Sequence, residues 1–423
     1  MLKLTNGILL IYNHRLTKNA STLMEHINSF SDHSQFKVWA VNTELGFPHE
    51  LNNLQFQVIL LHYSLFGNYL SKSFQAYLKQ SEASYKIAFF QDEHHTCQKR
   101  FEFINRFAID CIYTLLEPAY FKDVYQKRTT VPKLVSNIPG YVSDSMILKA
   151  QKFAKTDDAR NIDIGYRCRQ LSFYMGKGSQ EKHEIGVRFL ASESGLKLDI
   201  KTTEAFRLYG DEWYKFLGNC KGCLGVEAGA SIFDIEDYVK TEHDRLLSEN
   251  PKLTFEDMSN RLLKPWEENI PYRTISPRHF EAAAFRICQI LYESEYSGIM
   301  KPMVHYIPLK KDFSNFNEVI HLFNDKHLRQ QITENCYRDL IASGKYNYET
   351  FINGFDQDLI ALGFTPRITQ DEIETVSKAL SSTMFHKAYR QFTGVRKIPY
   401  YGNYPGKKVL LHLLRPIYEM FNR

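Results

Sequence analysis

The sequence predicts an α/β protein: two doubly wound domains facing a cleft, followed by a helical tail. Three observations lead there. Short, continuously apolar, β-rich runs alternate with longer stretches of helical spacing, a succession that builds parallel sheets covered on both faces. The alternation breaks once, in the polar stretch Ser143 to Asn161, and then resumes. At 423 residues the chain is also long enough for two or three separate cores.

In the first half the strands are expected at Gly7–Asn13, Phe36–Asn42, Phe56–Tyr63, Tyr85–Phe90 and Cys111–Leu116, with helical segments such as TLMEHINSF between them. After the polar break come the strand IDIGYRCRQ, a glycine-containing loop and the helix QEKHEIGVRFLASES. LKLDIKT, CKGCLGVE and QILYE read as later strands. Asp234 to Glu268 is charged and helical, an excursion inserted into the pattern. T-Q-D-E at Thr369 is a capping box that opens a further helix. The expected domains are 1–150, 151–385 and a basic amphipathic tail, 386–423. In such sheets ligands bind beyond the carboxyl ends of the strands, so the loops there are where chemistry is expected.

Composition narrows the class. Hydrophobic residues at 43% and charged residues at 24% describe an ordinary globular chain rather than a disordered one. No apolar run approaches the length of a spanning helix, and the first residues offer too short an apolar core for a signal peptide. Seven irregularly spaced cysteines fit reduced thiols. A cytoplasmic protein is expected. The net charge of +5 is confined to Arg396–Arg423, where six basic residues face one Glu and the remaining chain is neutral. A neutral body argues against nucleic acid as a partner. A basic tail suits an anionic surface, such as the inner face of the membrane.

Four local patterns carry candidate chemistry. In ISPRHFEAAAFRICQILYE (Ile275–Glu293), Ser276 suits the N-cap and Pro277 the first helical position. Phe280, Ala283, Ala284, Ile287 and Cys288 fall on one helical face, with Arg278 and Glu281 on the other. The free N–H groups of the helix start and Arg278 would hold a phosphate, and Glu281 would accept two ribose hydroxyls. The plainer alternative is a capped helix with an Arg–Glu pair. In YMGKGSQEK, Gly176 and Gly178 permit close backbone approach, Ser179 is expected to cap the next helix, and Lys177 and Lys182 bring charge, although the P-loop spacing is absent. In LGVEAGAS, Glu227 lies among small residues where a carboxylate could take sugar hydroxyls, or where the chain merely turns. In Gln91–His95, the residues Asp92, Glu93, His94 and His95 follow a strand and offer a general base for an attacking hydroxyl, or a polar helix cap. His14, Arg15 and His305 are weaker candidates of the same kind. Neither the Cys220–Cys223 pair nor the two adjacent histidines has metal-site spacing, so no metal or other cofactor is expected.

The stretch S-P-R-H-F-E-A-A-A, followed by a strand and HYIPLKKDFSN, resembles the donor domain of glycosyltransferases of the two-domain B type. More narrowly, it is similar to the CgeB-like "glycosyl transferases group 1" family, most clearly from Ile162 to Asp358. The resemblance implies two Rossmann-like domains and metal-independent transfer of a sugar from a nucleotide-diphosphate sugar to a saccharide or lipid-linked acceptor. It implies Glu281 at the nucleotide ribose and Lys177, Lys182 and Arg167 at the diphosphate. It also implies a role in bacterial surface polysaccharide or glycoconjugate synthesis. The sequence departs from the family pattern in two respects. Arg273 stands where retaining relatives have a second Glu, and Phe285 and Arg286 stand where a Gly is usual. The alternatives are a nucleotide-sugar epimerase on the same scaffold, or a degenerate, non-catalytic binding module at a membrane assembly.

Overall fold

The computed structural model describes residues 4–14, 21–44, 46–66 and 70–381. Arg15 and the tail at 386–423 lie outside them. The strands are β1 Leu4–Tyr12, β2 Val38–Asn42, β3 Gln55–Leu61, β4 Tyr85–Phe89, β5 Cys111–Thr114, β6 Lys133–Ser136, β7 Ile162–Arg167, β8 Leu198–Lys201, β9 Cys220–Gly225, β10 Ala228–Ala230, β11 Tyr272–Thr274, β12 Cys288–Tyr292 and β13 Ile307–Leu309. The α-helices are α1 Ser21–His33, α2 Lys72–Gln80, α3 Cys97–Phe107, α4 Asp144–Phe153, α5 Lys177–Ala191, α6 Asp211–Leu217, α7 Tyr238–Glu249, α8 Phe255–Met258, α9 Pro277–Ala284, α10 Phe316–Asn324, α11 Lys326–Tyr337, α12 Tyr348–Ala361 and α13 Gln370–Leu380.

Two all-parallel sheets result, in the orders β2-β1-β3-β4-β5-β6 and β13-β12-β9-β7-β8, as the continuous apolar runs predict. In both, the strand order reverses beside the first strand of the sheet, at β1/β3 and at β7/β9. A doubly wound sheet opens a crevice there. The edge strand β6 has no counterpart in the sequence reading, because KLVS is too short to stand out as an apolar run. The third pairing, β10 with β11, is antiparallel and closes the inserted segment 231–271 into a loop with its own small core of Ile232, Val239, Met258 and Leu263.

The polar stretch after Ser143 is not a linker. It holds α4, capped by the Ser143 side chain, and buries Met146 and Ala150 with Tyr214, Leu217 and Phe280 of the second sheet's layer. The chain therefore changes domain just before it. It changes back near Tyr346, and the two crossings pair: Val142 N–H donates to the Tyr346 carbonyl at 2.8 Å, and Tyr348 N–H to that of Val142 at 3.1 Å. Beyond this hinge, α12 seals the first sheet with Ile352, Phe355 and Leu359 packed on Ile8, Leu10, Leu60 and Phe89. The predicted capping box of Thr369 and Glu372 opens α13, whose Val376 joins the same domain's other core.

A second junction lies away from the hinge. Phe233 and Ile270 of the inserted segment, with Tyr272 of β11, are buried in the first domain's core. The Asp237 carboxylate accepts the Cys97 and Gln98 N–H groups at 2.7 and 3.1 Å and so caps α3 from the other domain. That cap is needed because Thr96, the residue ahead of α3, sits at φ 58° and makes no side-chain bond to the helix. Asp234 N–H adds a bond to the His94 carbonyl at 2.7 Å.

Candidate active site

The C-terminal ends of β7 and β9 open into a cavity of about 240 Å³. Its walls are residues 165–169 at the end of β7, 223–226 at the end of β9, Lys182 of α5, Arg207, Trp213 of α6, and Ser276, Arg278 and His279 at the start of α9. This is the crevice that the β7/β9 reversal dictates, and the sequence-predicted residues Arg167, Lys182, Ser276 and Arg278 meet in it.

The local sequence explains how each arrives. Ser276 is the N-cap of α9 and Pro277 its first helical residue, as expected. The helix is shorter than the apolar stripe suggested and ends at Ala284. Arg286 turns into the left-handed region at φ 50°, and Ile287 and Cys288 belong to the entry of β12 rather than to a helical face. Arg286 thus adopts a conformation that favours glycine. Ser179 does not cap α5. That helix starts at Lys177 behind Gly176 at φ 79°, and the Ser179 hydroxyl turns back to the Gly176 carbonyl at 2.7 Å. A side chain on Gly176 would collide with Ser231 and Ile232.

The electrostatics are one-sided. Arg278 donates to the Arg167 carbonyl at 2.6 Å and stacks over the Trp213 ring at 5.0 Å. Lys182, partly buried in the wall, has its pKa pushed down to about 8 by burial and then by Arg278, while Asp92 of the first domain pulls the other way. Arg169 and Arg207 extend the cationic wall, though both lean on Glu204, at 3.7 and 3.1 Å. Glu281 lies buried one turn behind Arg278. Trp213 Nε1 donates to its Oε2 at 2.9 Å, and burial raises its pKa to about 7 against the opposing pull of Trp213 and Arg278. His279, kept neutral by burial with a pKa near 4, shares a hydrogen bond with Gln289 at 2.9 Å.

Other expected residues are committed elsewhere. Arg167 lines the cavity, but its guanidinium is clamped by both Asp199 carboxylate oxygens at 2.9 and 2.8 Å and lies over Phe216. It is a wall rather than a free phosphate ligand. Lys177 sits outside the cavity lining, and its backbone N–H donates to Glu267 at 2.9 Å. The Glu227 carboxylate is consumed by the Ser294 hydroxyl and the Tyr296 N–H, so it pins a loop instead of facing a sugar.

The Gln91–His95 turn divides in the same way. Glu93 is 1% exposed and is satisfied by the Thr114 hydroxyl at 2.5 Å, the Leu115 N–H at 2.9 Å and the Tyr125 hydroxyl. It is a structural core carboxylate, with its pKa raised chiefly by burial. His94 is buried between Tyr174 and Tyr272, with neither ring nitrogen bonded and its pKa held well down by burial. Neither residue can reach a substrate. His95 is half-exposed and paired with the Thr96 hydroxyl at 2.8 Å. Asp92 is exposed at φ 52°, and its charge is close enough to act on Lys182 of the cavity wall. His305 is a buried structural histidine bonded to Asp339 at 3.0 Å. Trp213 and Arg207 were not anticipated. As one of three tryptophans, Trp213 is conspicuous in composition, but only the fold brings α6 against α9.

Comparison with solved structures agrees with this architecture. An alpha-glucosyltransferase in complex with UDP-glucose and DNA containing an abasic site superposes with a TM-score of 0.51 at 12% identity, over 85% of this chain and 100% of that one. An alpha-glucosyltransferase with UDP and a 13-mer DNA containing a HMU base gives 0.50 at 12% identity, over 84% and 100%. The chain has the glycosyltransferase-B fold. No family model and no curated protein matches the sequence. The cavity lies in the second of the two domains. Among the described residues no helix is long and apolar enough to cross a membrane.

Proposed function

We propose that this chain is a glycosyltransferase that moves a sugar from a nucleotide-diphosphate sugar to a hydroxyl acceptor, within the CgeB-like group and in the synthesis of a bacterial surface polysaccharide or glycoconjugate. The observation that carries the reading is the meeting of Lys182, Arg278 and the Ser276 end of α9 in the β7/β9 crevice, with Glu281 and Trp213 behind them. In the transfer the acceptor oxygen bonds to the anomeric carbon. The bond from that carbon to the diphosphate oxygen breaks, and its electron pair leaves with the diphosphate. Fixed cations stabilise the charge as it develops there. Asp92 is the candidate to take the hydroxyl proton. A saccharide or lipid-linked acceptor suits the chain better than nucleic acid, because its charge surplus is confined to Arg396–Arg423.

UDP and UDP-glucose are the first probes, since both occupy solved structures with this fold. Calorimetry should show binding by the wild type and at least tenfold weaker binding by Lys182→Ala and Glu281→Ala. Equal binding by all three proteins would remove these residues from the site. Incubation with donor alone separates the epimerase: a changed sugar still attached to its nucleotide would favour it. A chelator should leave transfer intact.

A further inference from the structure

A second cavity, of about 560 Å³, lies at the hinge. The first domain contributes Glu117 and Ala119 from the segment after β5 and Asn137 and Tyr141 from the segment after β6. The second contributes Arg273, Ser297 and Tyr346. Its chemistry is the reverse of the nucleotide cavity. The one cation, Arg273, has both terminal nitrogens taken, by Glu181 at 2.9 Å and Glu268 at 2.6 Å, so it offers no free charge to an anion. The carboxylate of Glu117 is exposed and has no bonding partner among the described residues. Asn137 receives the Tyr141 hydroxyl at 2.5 Å on its oxygen and keeps its amide N–H groups for a ligand. Tyr141 and Tyr346 add ring surface, and the Ser297 hydroxyl in the second domain's wall is held by the Thr274 hydroxyl at 2.9 Å and the Ile275 N–H at 3.2 Å.

Ring faces, an amide donor and a carboxylate acceptor, with no free cation in the lining, match a neutral polyhydroxylated ligand and disfavour a phosphate or a uronate. The two cavities share one partition. Arg273 borders this one, Ser276 and Arg278 border the other, and Pro277 touches Gly140 of the hinge from between them. A sugar seated here would lie beside the nucleotide cavity.

We infer that the hinge cavity is the acceptor subsite and that it takes a neutral saccharide, held by Glu117 and Asn137 against Tyr141 and Tyr346. The inference rests on the proposed glycosyl transfer. It places acceptor binding on the segments after β5 and β6 rather than on Glu93 and His94, which are consumed by the fold, and keeps it beside the turn that carries Asp92, whose Gln91 donates to the Pro139 carbonyl at 2.8 Å.

The test uses the full-length protein on a printed array of neutral and acidic (uronate- and sialate-bearing) glycans, with UDP affinity measured in parallel by calorimetry. The variants are Glu117→Ala, Asn137→Ala and Ala119→Trp, the last placing a ring in the cavity from an exposed loop position. Expected are wild-type binding to a subset of neutral glycans, a loss of at least fivefold in each variant, and UDP affinity unchanged. Binding confined to acidic glycans, neutral binding that ignores all three variants, or no glycan binding by a wild type that binds UDP would each overturn the inference. A wild type that binds glycan but not UDP would instead overturn the nucleotide-sugar reading and leave this cavity as a lectin-like site.

Discussion

Glu281 combines the two demands on a residue in this site, burial and charge. Its folded pKa of about 7 lies above the ordinary 4.5, so between those values the native state holds a proton that the unfolded chain has released. Stability from this group is fully present below pH 4.5 and is lost as pH rises towards 7, by at most ~3 kcal/mol. Urea unfolding of wild type and Glu281→Gln should therefore diverge across that window, the variant gaining relative stability as pH rises; parallel curves would deny the buried carboxylate its effect. The Ser276 cap and the Pro277 start of α9 are legible in the sequence because helix capping is a local property. The fates of Glu93 and Glu227 are not. Their bonding partners, Thr114 and Tyr125 in one case and Ser294 and Tyr296 in the other, lie 21 to 69 residues away.

At the scale of elements, hydrophobic runs reveal the strands of both sheets except the short edges β6 and β13, and a polar composition conceals α4, which needs only two buried residues to dock. The cap of α3 shows what a linear reading cannot contain. The turn QDEHHT carries several residues able to cap, yet the cap is Asp237, 140 residues on. Removing it with Asp237→Ala should cost about 1 kcal/mol, the ordinary worth of an N-cap, with Asp237→Asn retaining most of that. Chemical denaturation measures both, and an Ala variant as stable as wild type would mean that water replaces the carboxylate. Because the cap crosses between domains, the same variant should also speed amide exchange at Cys97 and Gln98 while leaving the strands of the second sheet unchanged.

For the molecule as a whole, the hinge at Val142/Tyr346 and the junction at Asp234–Asp237 hold the domains together at two separate places. Small-angle scattering should therefore record nearly the same radius of gyration with and without UDP. A contraction of several per cent would show that the second junction opens in solution. The predicted basic tail lies outside the described residues, and its proposed contact with an anionic surface can be tested directly. With each basic residue near such a surface worth about 1 kcal/mol, sedimentation with vesicles of anionic lipid should exceed that with neutral lipid and fall with salt. A protein cut at 385 that sediments equally well would end the proposal. Helices α12 and α13 carry a consequence of another kind. A ribosome makes the first sheet early, but the side chains that seal it, Ile352, Phe355, Leu359 and Val376, emerge only after the entire second domain has been synthesised. The amino-terminal domain must wait, with an oily face uncovered, for nearly the last part of the message to be read. A nascent chain arrested before residue 348 should thus bind holdase chaperones and yield to protease within its first 140 residues, whereas one arrested beyond 381, with the exit tunnel cleared, should resist.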